Sequence, residues 1–373
     1  MCNKFFLIGS GLFNCTLANL LAKDGFEVQI FESRNHLGGN CFDEIDRETG
    51  LRYHVYGPHI IHLQNEKWID FLSQFATLIP FHHSVKSFYH ENYYQLPINL
   101  DTINLFYKKA LKPFEILDFI KTKSERIDNP KNMEEKLLSL IGKDLYEAFF
   151  KFYTIKQWGK DPKELPATTI QRIPVRNNFN SSYYTKKYSF IPKEGFTPLL
   201  ENLIDNKRIK LNLNTCIDLK NIIEFSKKGK VIYTGEVDKL FHYEYGELEY
   251  RSLYFEKEYK QVPDFQGTSV INYPELKYPW TRICEPRHFP HYENEYNTSN
   301  KTLIIKEYST QRNDALEAYY PINDDRNNSL YKKYFSLSQT IPNLTLAGRL
   351  GMYKYTDMEN TIENAFRTYQ NVR

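Results

Sequence analysis

The chain has 373 residues, and its 49 basic and 46 acidic side chains give a formal net charge of +3. A balance this even disfavours a nucleic-acid-binding protein, which carries a basic stripe. The sequence has no apolar run of about 18 residues, so no membrane-spanning segment is expected. No signal peptide is expected either, because the apolar run Phe5–Ile8 is too short and glycines interrupt it. Five cysteines without a C-x-x-C pair favour a reducing, cytoplasmic location over a disulfide framework. The length predicts two or three compact units.

The first predicted element is a short apolar strand, Phe5–Ile8, that leads into Gly9 and Gly11. A helix-like segment and a second apolar strand follow, and that strand ends at Glu32. In such a βαβ unit the glycines let the backbone approach a pyrophosphate, and the helix N-terminus offers free N–H groups. Glu32 follows Gly11 by 21 residues (32 − 11), a spacing at which a carboxylate binds ribose hydroxyls. The pattern therefore predicts a dinucleotide site, with an ordinary glycine turn as the alternative.

Two features refine this prediction. Asn14 stands where the third glycine usually lies, so we expect a slightly looser turn. A second glycine pair, Gly38-Gly39, lies between Arg34 and Asn40. Such a loop is typical of FAD proteins, where it runs near the pyrophosphate, so FAD is favoured over NAD.

Hydrophobic periodicity predicts the elements that follow. In chain order these are strand–turn–strand at 51–62, a helix at 65–76, a hairpin at 84–98, a helical insertion at 101–150, short strands at 208–255, 267–290 and 301–308, and a strand, a Gly-Arg turn and a final helix from 344 to 366.

Three histidines, His54, His59 and His62, surround the Gly57-Pro58 turn. A metal centre would need a partner carboxylate on the same face, and none is obvious, so no metal site is predicted. A histidine-lined wall beside a cofactor is favoured, because a neutral imidazole can both donate and accept a hydrogen bond.

The densest segment lies between residues 150 and 195, where Trp158 and Arg172 occur among tyrosines and prolines. Aromatic faces and guanidinium groups on loops suit a ligand with a flat base and phosphates. Ring stacking contributes about 0.5–1.5 kcal/mol beyond burial, and a charged hydrogen bond to phosphate about 1.5–3 kcal/mol. The alternative is a core tryptophan with solvated arginines.

Motifs in order along nearly the whole chain resemble those of UDP-galactopyranose mutases. They are Gly-Ser-Gly-Leu-Phe at 9–13, Arg-Asn-His-Leu-Gly-Gly-Asn at 34–40, Tyr-Gly-Pro-His at 56–59, Lys-Gln-Trp-Gly at 156–159, Leu-Glu-Tyr-Arg-Ser at 248–252, Tyr-Tyr-Pro at 319–321 and Gly-Arg-Leu-Gly-x-Tyr-Lys-Tyr-x-Asp-Met at 348–358.

The resemblance implies an isomerase that interconverts the pyranose and furanose forms of a UDP-hexose for cell-surface polysaccharide synthesis. The reaction is non-redox overall but requires reduced FAD. In that family flavin N5 attacks the anomeric carbon, UDP leaves, the adduct opens and recloses on another hydroxyl, and UDP returns. NAD(P)H or another reductant would reduce the flavin. This chemistry explains why the sequence shows neither a Ser-His-Asp set nor a carboxylate pair.

The implied fold class is α/β: an FAD-binding Rossmann-like domain with an inserted helical domain and an antiparallel β-sheet domain of six strands. We expect the helical domain to mediate a homodimer and a loop around 159–185 to close over the substrate. The expected bounds are 1–80, 190–255 and 335–373 for the FAD domain, 100–150 for the helical domain, and 81–99, 151–189 and 256–334 for the sheet domain.

The resemblance also implies site residues. Arg172 and Arg282 would hold the diphosphate, and His62 would lie near flavin and sugar. The other substrate contacts would be His83, Tyr153, Trp158, Tyr183, Arg251, Tyr320 and Tyr355. The FAD contacts would be Gly9, Gly11, Phe13, Glu32, Arg34, Gly39, Asn40, His59, Ile60, Arg349, Asp357, Met358, Glu359, Asn360, Thr361, Ile362 and Glu363.

One departure from the family pattern, Ile61 where an aromatic residue is common, is expected to lie close to the sugar. The choice between UDP-galactose and UDP-N-acetylgalactosamine stays open. Two other hypotheses remain at this point: an amine-oxidase-like FAD oxidoreductase and a non-catalytic nucleotide-sugar-binding protein.

Overall fold

The structure, a computed structural model, describes residues 4–170, 175–313 and 316–373. Its strands are β1 (Lys4–Ile8), β2 (Glu27–Phe31), β3 (Asp43–Ile45), β4 (Arg52–His54), β5 (Ile61–Leu63), β6 (Leu78–Pro80), β7 (Val85–Tyr89), β8 (Asn92–Leu96), β9 (Tyr188–Pro192), β10 (Ile209–Asn212), β11 (Lys230–Tyr233), β12 (Tyr250–Lys260), β13 (Val270–Asn272), β14 (Arg282–Cys284), β15 (Thr302–Gln311), β16 (Tyr320–Pro321) and β17 (Leu344–Leu346).

The helices follow the same order along the chain. They are α1 (Leu12–Lys23), α2 (Lys67–Leu72), α3 (Leu100–Tyr107), α4 (Ile116–Lys123), α5 (Met133–Tyr146), α6 (Phe152–Trp158), α7 (Phe196–Ile204), α8 (Leu219–Lys228), α9 (Val237–Leu240), α10 (Tyr292–Glu295), α11 (Asp325–Ser338), α12 (Gly348–Gly351) and α13 (Met358–Val372).

A five-stranded parallel sheet in the order β10-β2-β1-β11-β17 forms the nucleotide-binding layer. Phe5, Phe6, Leu7 and Ile8 are all buried, because a central parallel strand is covered on both faces. All five strands run in one direction, so their carboxyl ends meet at one edge, where ligands of open α/β sheets bind. The carboxyl ends of strands β1, β2, β11 and β17 therefore define the first wall of the site.

A seven-stranded sheet in the order β16-β12-β15-β14-β13-β7-β8 forms the second layer. Two details differ from expectation. The sheet has seven strands rather than six, and β13 pairs with β7 in parallel. The expected domain boundary at 255 cuts through β12, whose pairing with β15 runs unbroken from Arg251 to Lys260. The strand begins at Tyr250, beside Pro321 of β16.

A smaller sheet in the order β5-β9-β6 was not predicted. It pairs His62 with Ser189 and Ile79 with Ile191, residues far apart in sequence. The local pattern predicted a strand near 61 but held no information about its partner. This sheet places the histidine segment next to residues 181–187.

The helical insertion was predicted and is present as α3, α4 and α5. Its apolar faces, including Ile103, Ile116 and Leu137, pack against the β7–β8 hairpin in one buried cluster. Helix α5 is kinked at Gly142, whose φ of 75° and closeness to the Lys123 carbonyl, 2.1 Å from a built Cβ, exclude a side chain. A π-helical turn at Glu147–Lys151 then leads into α6, so the insertion positions that helix.

Within the described ranges, 4–170, 175–313 and 316–373, none of the helices has the length and apolar character that crossing a bilayer requires.

Candidate active site

A cavity of about 510 Å³ opens between the parallel sheet edge and the seven-stranded sheet. Thirteen of the residues expected at the site line it: Asn40, His59, Ile60, His62, His83, Tyr183, Arg282, Tyr320, Arg349, Tyr355, Asp357, Met358 and Asn360. Residues from the first sixty positions and from the last thirty thus share one chamber with the middle of the chain. Its volume is in the usual range for a small-molecule site.

The glycine turns approach each other at the start of α1. Gly11 forms a bridge with Gly38, and a Cβ built on Gly39 would lie 3.2 Å from the Gly11 Cα. Helix α1 has no side-chain cap among the described residues, so its first N–H groups remain available to a phosphate. The turn is built for an anionic ligand close to the backbone. Phe13, by contrast, lies in the core beneath the turn.

Asn14 does not loosen this turn as expected. Its side chain is fully buried, and Nδ2 donates to the carbonyls of Ile8 at 3.0 Å and Gly9 at 2.9 Å. The amide also lies 3.4 Å from the Thr234 hydroxyl. A side chain in place of the third glycine therefore ties α1 to the end of β1.

Glu32 and Arg34 lie at the end of β2. One Glu32 oxygen accepts from the Ser10 amide at 2.9 Å and the other from the Arg34 amide at 3.0 Å, which fixes the carboxylate. The Arg34 guanidinium lies 4.5 Å from the centroid of the Tyr56 ring, and its Nη2 donates to Asn40 at 3.0 Å. A carboxylate held here with spare lone pairs is suited to accept ribose hydroxyls.

The N-terminus of α13 faces the cavity. Asp357 caps the helix by accepting from the Asn360 amide at 2.9 Å. Arg349 donates to the Thr356 carbonyl at 3.1 Å and so holds the approach to the helix. The partial positive charge of the helix end favours negative charge on a ligand. Four further expected cofactor residues lie in this helix but outside the cavity lining: Glu359, Thr361, Ile362 and Glu363.

Histidine rings form one wall of the cavity. His62 and His83 stack with centroids 5.6 Å apart, and His62 Nδ1 contacts the Ser189 hydroxyl at 2.7 Å. Neither His83 nitrogen has a hydrogen-bond partner among the described residues. Burial lowers the pKa of His59 and of His62 to about 4, and that of His83 to about 3. The rings are therefore neutral at pH 7 and available to a polar ligand.

Arg282 and Glu307 line the same cavity. Arg282 Nη2 is 2.8 Å from Glu307 Oε1, and the carboxylate is almost fully buried. Sequence reasoning missed Glu307, because an acid within a strand is usually solvated. The available signal was its place next to Tyr308 and just after the apolar run Leu303-Ile304-Ile305 in the same strand.

Three other predicted substrate residues lie outside the cavity lining. Tyr153, on α6, interacts electrostatically with Arg282. The Trp158 ring centroid is 6.5 Å from that of Tyr320, and its other contacts are with the helical insertion. Arg251 donates through Nε to the Gln157 carbonyl at 2.9 Å, so its described contacts fix the end of α6. Arg172, the remaining predicted residue, lies outside the described residues.

Ile61, which was expected close to the sugar, does not line the cavity. It is 1% exposed and packs in a core cluster with Leu63 and Trp68, whereas Ile60 lines the cavity. Strand β5 alternates its side chains, so Ile61 points away from the chamber.

His54 and His291 meet beside Asp43 in a buried group. His54 Nδ1 accepts from the His59 amide at 2.9 Å, so the neutral ring carries its proton on Nε2. That proton faces His291 Nε2 at 3.0 Å. A metal at this point would need the same nitrogen without its proton, so the hydrogen bonds oppose a metal centre here.

The fold and the chamber together define a dinucleotide-binding α/β protein whose second sheet carries an arginine into the cofactor cavity. A family model described as NAD(P)-binding Rossmann-like domain matches residues 7–75, and one described as UDP-galactopyranose mutase matches residues 148–355. The chain belongs to the UDP-galactopyranose mutase family. The predicted family, fold class and enzyme class, an isomerase, are thereby confirmed.

Relatives match over nearly the whole chain. A dTDP-fucopyranose mutase from Escherichia coli is 38% identical, covering 99% of this chain and 98% of the relative. A probable UDP-galactopyranose mutase from Klebsiella pneumoniae is 39% identical, covering 97% and 92%. The crystal structure of a reduced UDP-galactopyranose mutase superposes with a TM-score of 0.77 at 16% identity, covering 99% of this chain and 95% of that one. That likeness supports the fold.

Proposed function

We propose that the protein interconverts UDP-galactopyranose and UDP-galactofuranose with reduced FAD as cofactor. One observation carries the proposal: the Arg282 guanidinium, neutral histidines and the N-terminus of α13 line a single chamber. The guanidinium suits a diphosphate, the imidazoles suit sugar hydroxyls, and the helix N-terminus suits an electron-rich ring. Family membership favours this isomerisation over an amine-oxidase-like reaction.

The residues present fit FAD. The uncapped N-terminus of α1 at Gly11 suits its pyrophosphate, and Glu32 suits its ribose. The side chains of Asn40, His59 and Arg349 line the cavity and would contact the remainder of the FAD molecule. Arg34 Nη1 is buried with no partner among the described residues, which leaves a donor for a phosphate or ribose oxygen. When bound and reduced, FAD supplies the nucleophile, so no side chain needs that role.

The chain itself binds, orients and neutralises. Arg282 would hold the diphosphate and offset its charge as the nucleotide departs. Glu307 keeps the guanidinium in place before substrate arrives. Tyr320 and Tyr355 line the same cavity, and their hydroxyl groups would donate to phosphate oxygens. Arg172 is proposed as the second diphosphate arginine on the strength of the family motif alone.

The sugar end would meet the histidine wall. His83, with both nitrogens unpartnered among the described residues, would accept from one hydroxyl and donate to another. His62 offers Nε2 in the same way, since its Nδ1 already contacts Ser189. Val85 and Val270 supply apolar surface that excludes water. Tyr153, Trp158 and Tyr183 are proposed for the uridine end.

The protein is further proposed to form a homodimer through its helical insertion and to receive electrons from NAD(P)H. The insertion exposes Phe114 by 80%, Leu117 by 57% and Leu140 by 43%. Leu117 lies on α4, Leu140 on α5 and Phe114 in the turn before α4, and apolar side chains this exposed are typical of a contact surface. Sedimentation analysis of the wild type and of Phe114→Ser would test the dimer.

The decisive experiment measures isomerisation by chromatography of UDP-galactose incubated with the purified FAD protein. Conversion should appear after reduction with dithionite or NADPH and be absent with oxidised FAD. UDP-N-acetylgalactosamine is assayed beside it to compare kcat/KM. Equal turnover by the oxidised protein would contradict the proposal, as would UDP binding without any conversion.

A second substrate pair, dTDP-fucopyranose and dTDP-fucofuranose, is favoured by the Escherichia coli relative, which matches 99% of this chain. Fucose is a 6-deoxygalactose, and the cavity carries apolar side chains, Val85, Leu253 and Val270, against which a methyl group could pack. A hydrophobic site discriminates weakly against one added hydroxyl, by about 100-fold. The ratio of kcat/KM for the two nucleotide sugars decides between them.

A further inference from the structure

Lys186 joins two carboxylates at the cavity wall. Its ammonium lies 2.8 Å from Asp357 Oδ2 and 2.7 Å from Glu359 Oε2. It also lies 3.4 Å from the His62 carbonyl. Lys186 and Asp357 both line the chamber, next to Met358 at the start of α13. The sequence patterns singled out neither the lysine nor its pairing.

The carboxylates are held on their other sides as well. Glu359 Oε1 accepts from the amides of Gln64 and Asn65 at 2.9 and 3.0 Å. Asp357 Oδ1 caps α13 through the Asn360 amide. Glu359 is 7% exposed, so its charge is poorly screened by solvent. Both negative charges are therefore fixed beside the chamber, and the lysine is the cation placed between them.

The role inferred for this cation rests on the proposed FAD-dependent function. Reduction of bound FAD adds two electrons and one proton, so the reduced cofactor carries one more negative charge. A fixed cation near the ring stabilises that charge, whereas fixed carboxylates oppose it. With Lys186 the group of three side chains carries a net charge of −1; without it the net charge is −2.

We propose that Lys186 is a positioning residue that offsets Asp357 and Glu359 at the cavity side of the N-terminus of α13 and thereby raises the two-electron reduction potential of bound FAD. It does so by supplying the compensating positive charge between the two carboxylates. It also joins the segment before β9 to the N-terminus of α13. The lysine thus favours the reduced cofactor that the reaction requires.

The neighbouring residue supplies a matched control. Lys187 points the other way, to Glu66 at 3.2 Å, and its side chain is 59% exposed. Lys187→Met removes the same charge from the same segment, but outside the chamber. A purely long-range or net-charge effect would be the same for both lysines, because they are adjacent in sequence.

The test is the midpoint potential of bound FAD, measured by equilibration with a reference dye, in the wild type, Lys186→Met, Lys186→Arg and Lys187→Met. Lys186→Met should weaken binding of reduced FAD relative to oxidised FAD about tenfold, a potential lower by about 30 mV for a two-electron couple. Lys186→Arg should restore most of the shift, and Lys187→Met should match the wild type. Equal potentials for Lys186→Met and the wild type would overturn the proposal.

Glu359→Gln in the wild-type background keeps the test independent of whether Lys186→Met folds. Removing one carboxylate should raise the potential, and adding the same change to Lys186→Met should return it toward the wild-type value. An unchanged potential in Glu359→Gln would overturn the proposal. This inference and the proposed function can fail separately. If the protein binds FAD and isomerises the sugar, but the reduction potential of FAD is the same with and without Lys186, only this inference is refuted.

Discussion

Arg282 and Glu307 face each other across paired strands β14 and β15, with 2.8 Å between Nη2 and Oε1, at the wall of the cavity. The Arg282 side chain is 25% exposed and that of Glu307 is 2% exposed. The carboxylate thus holds the arginine where its remaining N–H groups can reach a ligand. A diphosphate brings a larger negative charge and can compete for the same guanidinium.

Replacing Arg282 with alanine is therefore expected to weaken UDP binding by about 1.5–3 kcal/mol, roughly 10- to 150-fold. FAD content should stay unchanged, because the predicted pyrophosphate turn lies on the other sheet. Isothermal titration with UDP and the flavin absorbance of the purified variant measure the two quantities. Arg47→Ala, at an exposed position, is the control. UDP affinity like that of the wild type would remove Arg282 from the binding site.

Glu307→Gln should separate positioning from binding. The glutamine keeps the size of the side chain but removes the charge that pairs with Arg282. We expect the free energy of unfolding to fall by about 1–3 kcal/mol, while UDP affinity is maintained or increased because the competing carboxylate is gone. Urea unfolding and UDP titration on one preparation provide both values. A loss of UDP affinity with unchanged stability would show that Glu307 itself contacts the ligand.

Lys156 is expected to act through the same arginine. Its ammonium donates to the carbonyls of Trp280 at 2.8 Å, Tyr278 at 3.0 Å and Glu275 at 3.1 Å, in the loop that leads into Arg282. Lys156→Ala should raise the KM for the nucleotide sugar more than it lowers kcat, since the loop loses its anchor. Added n-propylammonium, which replaces the missing atoms, should restore part of the affinity.

The control for that experiment is Lys163→Ala, an exposed lysine just beyond α6. Its KM should be that of the wild type and should not respond to n-propylammonium. A Lys156→Ala enzyme with unaltered KM would show that the loop keeps its place without the ammonium.

The strands and helices were largely predictable because their signals are local. The strand Phe5–Ile8, the glycine turn and the amphipathic insertion each follow from periodicity over a few residues. The pairing of β5 with β9 was not predictable, since it joins Ile61 to Phe190. An alternating pattern predicts that a segment forms a strand, but it does not indicate which distant strand pairs with it.

The site residues divide in the same way. Arg282 and Tyr320 could be proposed from motifs, whereas Glu307 and Lys186 carry residue types that are normally solvated. Their roles arise only when β15 and the segment before β9 are folded against the chamber. Asn14 shows the converse case, since a motif departure that suggested a defect proves to be a set of buried hydrogen bonds.

Because the buried histidines of the cavity are neutral, the free energy of unfolding is expected to decrease at acidic pH. Unfolded His83 gains a proton below about pH 6.5, whereas burial lowers its pKa to about 3 in the folded protein. Between these values the unfolded state binds more protons, so stability falls as the pH is lowered, by about 1.4 kcal/mol per unit for this group. Its contribution is complete above pH 6.5.

His83→Gln cannot titrate, so urea unfolding from pH 6.5 to 5 should show a loss smaller than that of the wild type by about 2 kcal/mol. The control is His90→Asn, at an exposed turn position with positive φ that asparagine tolerates. The free energy of unfolding of this variant should fall with decreasing pH as steeply as that of the wild type. If His83→Gln loses stability as steeply as the wild type, burial does not lower the pKa of His83 in the folded protein.

Restoring the usual glycine at position 14 is expected to weaken the protein rather than improve it. Asn14→Gly removes the hydrogen bonds to the Ile8 and Gly9 carbonyls and adds the small cost of a helical glycine, together about 1–3 kcal/mol of unfolding free energy. Asn364→Gly, in the middle of α13, measures the cost of exchanging asparagine for glycine in a helix, about 0.3 kcal/mol. Urea unfolding compares the two variants. Equal losses would mean that the buried amide contributes nothing, whereas a larger loss for Asn14→Gly, with weaker FAD retention on dialysis, would assign it to the cofactor turn.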